Sequence, residues 1–105
     1  MADSKLTGII GLCRKAGKLV LGYDMTVEAM QKGKTFLVLT ASDCAERTLR
    51  GIGFCAEETE TEVSELPLTK DEISFAVGKR AGVLGICDKG FANKIEELLN
   101  GVREA

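Results

Sequence analysis

Leu6, Ile9, Ile10 and Cys13 recur at the i, i+3, i+4, i+7 spacing of a helix that buries one face. Asp3 or Ser4 is placed to cap that helix and Gly17 to end it. KLVL, residues 18–21, then reads as a short strand. A second helix covers about residues 24–31 and stops at Gly33, with Asp24 as its cap and Glu28 paired with Lys32 one turn on. TFLVLTA, residues 35–41, is an unbroken apolar run rich in strand formers, as expected of a strand covered on both faces. Asp43 with Glu46 three residues later is an N-cap signature for a helix over residues 44–58, weakened by Gly51 and Gly53. TEVSEL, residues 61–66, alternates like an exposed strand with an acidic outer side. Thr69 and Glu72 form a capping box for a helix holding Ile73, Ala76 and Val77. GVLGIC, residues 82–87, is a second buried strand, and a last helix carries Phe91, Ile95, Leu98, Leu99 and Val102 on one face.

This α-β-α-β-α-β-α-β-α order predicts an α/β fold, a three-layer α-β-α sandwich around a mixed sheet of about four strands. The 105 residues suit one domain, 1–105, with a modest single core. Apolar residues at 45% and charged residues at 29% argue against wholesale disorder. No 18-residue apolar run is present to cross a membrane, and the first residues lack the basic-then-apolar pattern of a secretory leader. A cytoplasmic location is expected. The cysteines at 13, 44, 55 and 87 include no C-x-x-C pair, and three of them lie in apolar runs. They are expected to be reduced and mostly buried thiols, with no metal or other cofactor.

Charge alters the picture only when read by segment. The net charge is −2, yet residues 1–50 hold eight Lys or Arg against five Asp or Glu, and residues 51–72 hold one against seven. An acidic chain can still bind a polyanion when its positive charge gathers on one face. Catalysis finds little support. Without a histidine, a base poised near neutral pH would have to come from carboxylates or a shifted lysine. GKT at residues 33–35 lacks the upstream glycine of a nucleotide-binding P-loop, having Glu28 there, and it closes a helix instead of opening one. GIGFCA at residues 51–56 lies inside a helical pattern, not behind a strand as the dinucleotide fingerprint requires. No enzyme is expected.

Two stretches carry a resemblance to a known family. GLCRKAGKLVLGYDMTVEAMQKGKTFLVLTASD, residues 11–43, and ISFAVGKRAGVLGICDKGFANKI, residues 73–95, resemble the kink-turn RNA-binding ribosomal proteins, the archaeal L-seven-Ae and eukaryotic L-thirty-e type. RKAGK, the G-x-D helix start and DKGFANKI are similar to its small bacterial branch, while residues 45–68 match loosely. The resemblance implies an L-thirty-e-like fold and a non-catalytic monomer. Its implied partner is a structured, kink-turn-like RNA, ribosomal RNA among the candidates, and neither DNA nor membrane. In that family a helix start behind a glycine enters the groove beside tandem sheared G·A pairs. The glycine falls on Gly22, with Tyr23 behind it. The pattern Asn-Glu, then Lys three residues on, falls on Asp24, Met25 and Glu28, which are different residues and less welcoming to phosphate. The loop that covers the bulged bases falls on residues 78–82, including Gly78, Lys79, Arg80 and Ala81. Arg14, Lys15, Lys18, Lys32, Lys34, Lys79 and Arg80 are expected to line the same end of the domain and supply phosphate contacts. A protein-interaction module that has lost RNA binding at this corner is the alternative.

Overall fold

Nine elements follow in the expected order: α1 (Ala2–Lys15), β1 (Leu19–Leu21), α2 (Tyr23–Gln31), β2 (Leu37–Thr40), α3 (Glu46–Thr59), β3 (Val63–Glu65), α4 (Lys70–Val77), β4 (Val83–Ile86) and α5 (Lys89–Glu104). They come from a computed structural model that describes the backbone of residues 2–104 and the side chains of residues 5–101. The expected contribution of the Val102 side chain lies outside the described residues. The strands form one mixed sheet in the order β1-β4-β2-β3, antiparallel except for the parallel β2–β3 pair.

The pleat sorts the central strands between two cores. Leu37, Leu39 and Ala41 on β2 and its exit, with Leu84 and Ile86 on β4, join Leu6, Ile10, Ile73, Ile95 and Leu99 beneath α1, α4 and α5. Val38 and Val83 point the other way, into a smaller cluster with Met30, Ile52, Cys55 and Ala56 beneath α2 and α3. Successive strand side chains alternate faces, so two cores need a run apolar at every position. Both central strands are buried throughout, as their runs predict. Gly85 belongs to the α2 side. A Cβ there would stand 2.7 Å from Val20 Cγ2 and 3.3 Å from the methyls of Thr26 and Thr35, so its absence lets α2 settle onto the sheet.

The capping expectations need correction. α1 already includes Asp3 and Ser4, so neither occupies its N-cap position. Asp24 sits inside α2, whose N-cap is Gly22 with no side-chain hydrogen bond. Asp43 does not cap α3, whose N-cap is Ala45. Its Oδ1 accepts the Lys70 N–H at 2.9 Å, closing the start of α4 instead. The helix α4 keeps its predicted capping box, with Thr69 Oγ1 accepting from Glu72 N–H at 3.2 Å and Glu72 Oε1 from Thr69 N–H at 2.9 Å. Nor does Gly51 break α3. A side chain there would collide with the ring and hydroxyl of Tyr23, so this glycine is the socket that joins α2 to α3.

Candidate nucleic-acid interface

Backbone hydrogen bonds divide the sheet into two ends. At one, Gly22 N–H donates to Val83 O at 2.9 Å, Ala41 N–H to Gly82 O at 2.9 Å and Leu66 N–H to Thr40 O at 2.7 Å. This rim therefore gathers the start of α2, the exit of the 78–82 loop and the turn leading into α3. At the other end, Cys87 N–H donates to Lys18 O and Phe36 N–H to Ile86 O, both at 2.8 Å. The first end is the corner that the sequence reading singles out.

Gly22 adopts φ 92° and ψ 164°, a conformation L side chains rarely take, and it swings the chain from β1 into α2. The first turn of a helix has N–H groups with no intrahelical acceptor. At α4 these donors meet Thr69, Glu72 and Asp43. At α2 the N-cap is Gly22, which has no side chain to accept from the first-turn N–H groups of Tyr23, Asp24 and Met25 at the rim. The start of α3 behind Ala45 likewise has no side-chain cap. A hollow of about 170 Å³ lies between these two helix starts, lined by Tyr23, Cys44, Ala45, Thr48, Lys70 and Gly82. Two helix N-termini bring partial positive charge and amide donors to one place.

Asp24, Met25 and Glu28 are all exposed on α2. Glu28 Oε1 accepts from Lys32 Nζ at 2.7 Å, the predicted i,i+4 pair, and that bond first, then the Lys32 charge, holds its carboxyl below the usual range. Its negative charge is thus met within the protein, and Lys32 is engaged by it. In the 78–82 loop Gly78, Lys79 and Arg80 are exposed, whereas Ala81 is buried in the main core. Arg80 Nε donates to Asp71 Oδ1 at 2.8 Å, which raises the guanidinium pKa, and the side chain remains largely exposed.

The expected gathering of seven cations does not occur. Lys18 and Lys34 lie near Cys87, at the opposite end, where their charges offset part of the upward push that burial gives the Cys87 thiol. Arg14 and Lys15 border a groove against Ala76 and Val77 on the last turn of α4. Only Lys79 and Arg80 belong to the rim loop. For Lys18 and Lys34 the reason is topological: β1 and β2 start where β4 ends, so residues just before those strands lie away from the end where β4 begins. Sequence reasoning missed Cys44, Ala45, Thr48 and Lys70 because assigning Asp43 as the α3 cap concealed an open helix start.

All four cysteines are free thiols, and no group of three or more Cys, Asp or Glu among the described residues is placed to hold a metal ion. No helix among the described residues is long and apolar enough to cross a membrane.

Comparison with known proteins agrees with this architecture. A match described as "Ribosomal protein L7Ae/L30e/S12e/Gadd45 family" spans residues 4–96. The chain is 35% identical over 97 residues to the RNA-binding protein YlxQ of Enterococcus faecium, covering 92% of this chain and 93% of that one. It is 30% identical over 83 residues to the large ribosomal subunit protein eL30 of Candida glabrata, covering 77% and 79%. Among solved structures, a Bacillus halodurans protein of unknown function superposes with a TM-score of 0.85 at 27% identity, covering 91% and 97%. The Giardia lamblia 15.5kD RNA binding protein shares the fold at 17% identity, with a TM-score of 0.75 and coverage of 98% and 88%. The chain belongs to the ribosomal protein L7Ae/L30e/S12e/Gadd45 family.

Proposed function

We propose that this protein is a non-catalytic RNA-binding protein of the cytoplasm that recognises a kinked, structured RNA, ribosomal RNA among the candidates. The observation that carries the reading is the uncapped start of α2 behind Gly22, hydrogen-bonded to the strand that the 78–82 loop feeds. Relatives named as RNA-binding and ribosomal proteins support it. Structured RNA is read mainly through shape, distorted grooves and unstacked bases, which suits one rigid helix start beside one loop. The open amides of α2 and α3 offer donors to phosphate or base acceptors, and Lys79 and Arg80 add charge from the loop. Lys32 reduces the repulsion that Glu28 would otherwise present.

The test is a titration of the whole protein against a kink-turn RNA and a straight duplex of equal length, each at two salt concentrations. Preference for the kinked RNA, with affinity falling as salt rises, is the expected result. Glu28→Lys is expected to tighten binding severalfold, and alanine at both Lys79 and Arg80 to weaken it by a similar factor. Equal, weak binding to both RNAs would overturn the proposal and favour the interaction module.

A further inference from the structure

Leu12 is 55% exposed on the outer side of α1 and stands between two grooves. One, of about 440 Å³, runs between α1 and the end of α4, with Gly11, Arg14, Lys15 and Ala76 in its lining. The other, of about 430 Å³, includes Lys5, Ile9, Lys94 and Leu98, between α1 and α5. Gly8 and Leu12 border both. Among the described residues, the charged side chains lining the two are Lys5, Arg14, Lys15 and Lys94, without a carboxylate, in a chain where acids outnumber bases 16 to 14. Lys94 is held only loosely, 3.9 Å from Glu97.

Gly8 adds an independent observation. It lies in the middle of α1 without a positive φ, and, its chain neighbours and the backbone of its own helix aside, no described atom lies within 4 Å of where its Cβ would be. Glycine weakens a helix interior relative to alanine, and neither conformation nor packing within this fold calls for one here. Gly11 differs, since a Cβ there would press against Ala76 O at 2.9 Å. A helix face that keeps a glycine its own fold does not use is open to close approach from outside.

We infer that this face of α1 docks an acidic amphipathic helix of a partner protein. Residues 5–15 rise about 15 Å, enough for three turns of a partner helix and its i, i+3, i+4, i+7 anchors. Its apolar residues fill the grooves on either side of Leu12 and its carboxylates meet the four cations, while Gly8 allows the two backbones to approach. A second copy of the same face would set cations against cations, so self-pairing through it is disfavoured. Among the described residues neither groove has an aromatic ring in its lining on which a base could stack, which favours a helix over single-stranded nucleic acid. The surface lies on the α1, α4 and α5 side of the sheet, whereas α2 and α3 cover the other side, and it stands whether or not the α2 corner binds RNA.

The experiment is a titration of the ¹⁵N-labelled whole protein with a synthetic 18-residue helix carrying leucine on one face and glutamate elsewhere, beside a counterpart with lysine for glutamate. The amides of Gly8, Gly11, Leu12 and Ala76 are expected to shift with the acidic peptide, and those of Gly22 and Gly82 to stay in place. Leu12→Glu, at an exposed position, is expected to cost at least tenfold in affinity. Gly8→Ala is expected to weaken binding severalfold while the melting temperature holds or rises. Absence of shifts, equal response to the lysine peptide, or shifts at the corner would overturn the inference. So would a single-stranded RNA oligomer that moved the same α1 amides more strongly than the peptide.

Discussion

At Gly85 the lack of a side chain has a clear geometric consequence. Val20, Thr26 and Thr35 all close over the space its Cβ would take, and Thr26 is fully buried beside it. Gly85→Ala is therefore an overpacking mutation at a position where chain conformation is not the issue. It is expected to destabilise the fold by about 1–3 kcal/mol in a urea melt, through displacement of Val20 on β1 and a smaller shift of Thr26 on α2. Because α2 opens the candidate interface, RNA affinity should fall with it, and a neutral result would show that α2 has room to move. Gly51 acts the same way for Tyr23. In the sequence both look like breaks in a pattern, since the neighbour that needs the space lies 65 or 28 residues away in the chain.

The helices differ most in how their first turns are closed. Three donors of α4 are satisfied by Thr69, Glu72 and Asp43, the last from 27 residues upstream. The starts of α2 and α3 have no such side chains. Asp43→Ala is thus expected to loosen α4 and spare α3, at a cost of about 1 kcal/mol. Amide exchange would read this as faster exchange at Lys70 with unchanged protection in the α3 interior; faster exchange in α3 would restore Asp43 to the role the sequence pattern predicts. Element order, the two buried strands, the Thr69–Glu72 box and the Glu28–Lys32 pair were all legible because each depends on neighbours within four residues or on periodicity. The Asp43 role was not, because a carboxylate four residues or fewer from one helix start can turn to another that folding brings closer.

Across the molecule, charge and burial are distributed by topology. Cations lie at both ends of the sheet and along α1, while Glu62, Val63 and Glu65 are exposed on and beside the β3 edge, where charge discourages strand addition. The core hides Cys13, whose Sγ–H donates to Lys18 O at 3.3 Å. Burial first, then the nearby Asp88 and Cys87 charges, push its thiol up from 9.0 to about 11. Below pH 9 both folded and unfolded chains keep this proton, and its contribution to stability is complete. Between pH 9 and about 11 the unfolded chain releases the proton while the folded chain retains it, so stability declines as pH rises. The urea midpoint is expected to fall over that window, and less steeply in a Cys13→Ala variant; parallel declines in the two proteins would remove Cys13 as the cause.

Local order was written in the chain, because periodicity, capping boxes and apolar runs act between near neighbours in any context. The sequence accordingly specified a three-layer α/β domain, its two central strands and the glycine that precedes α2. Tertiary structure decided which charges share a surface. Strand order and direction placed Lys18 and Lys34 beside Cys87, away from Lys79 and Arg80, and set Arg14 and Lys15 against α4. It also opened two helix starts side by side at one rim. Electrostatic complementarity depends on distances through space, and those exist only once the sheet has chosen its neighbours.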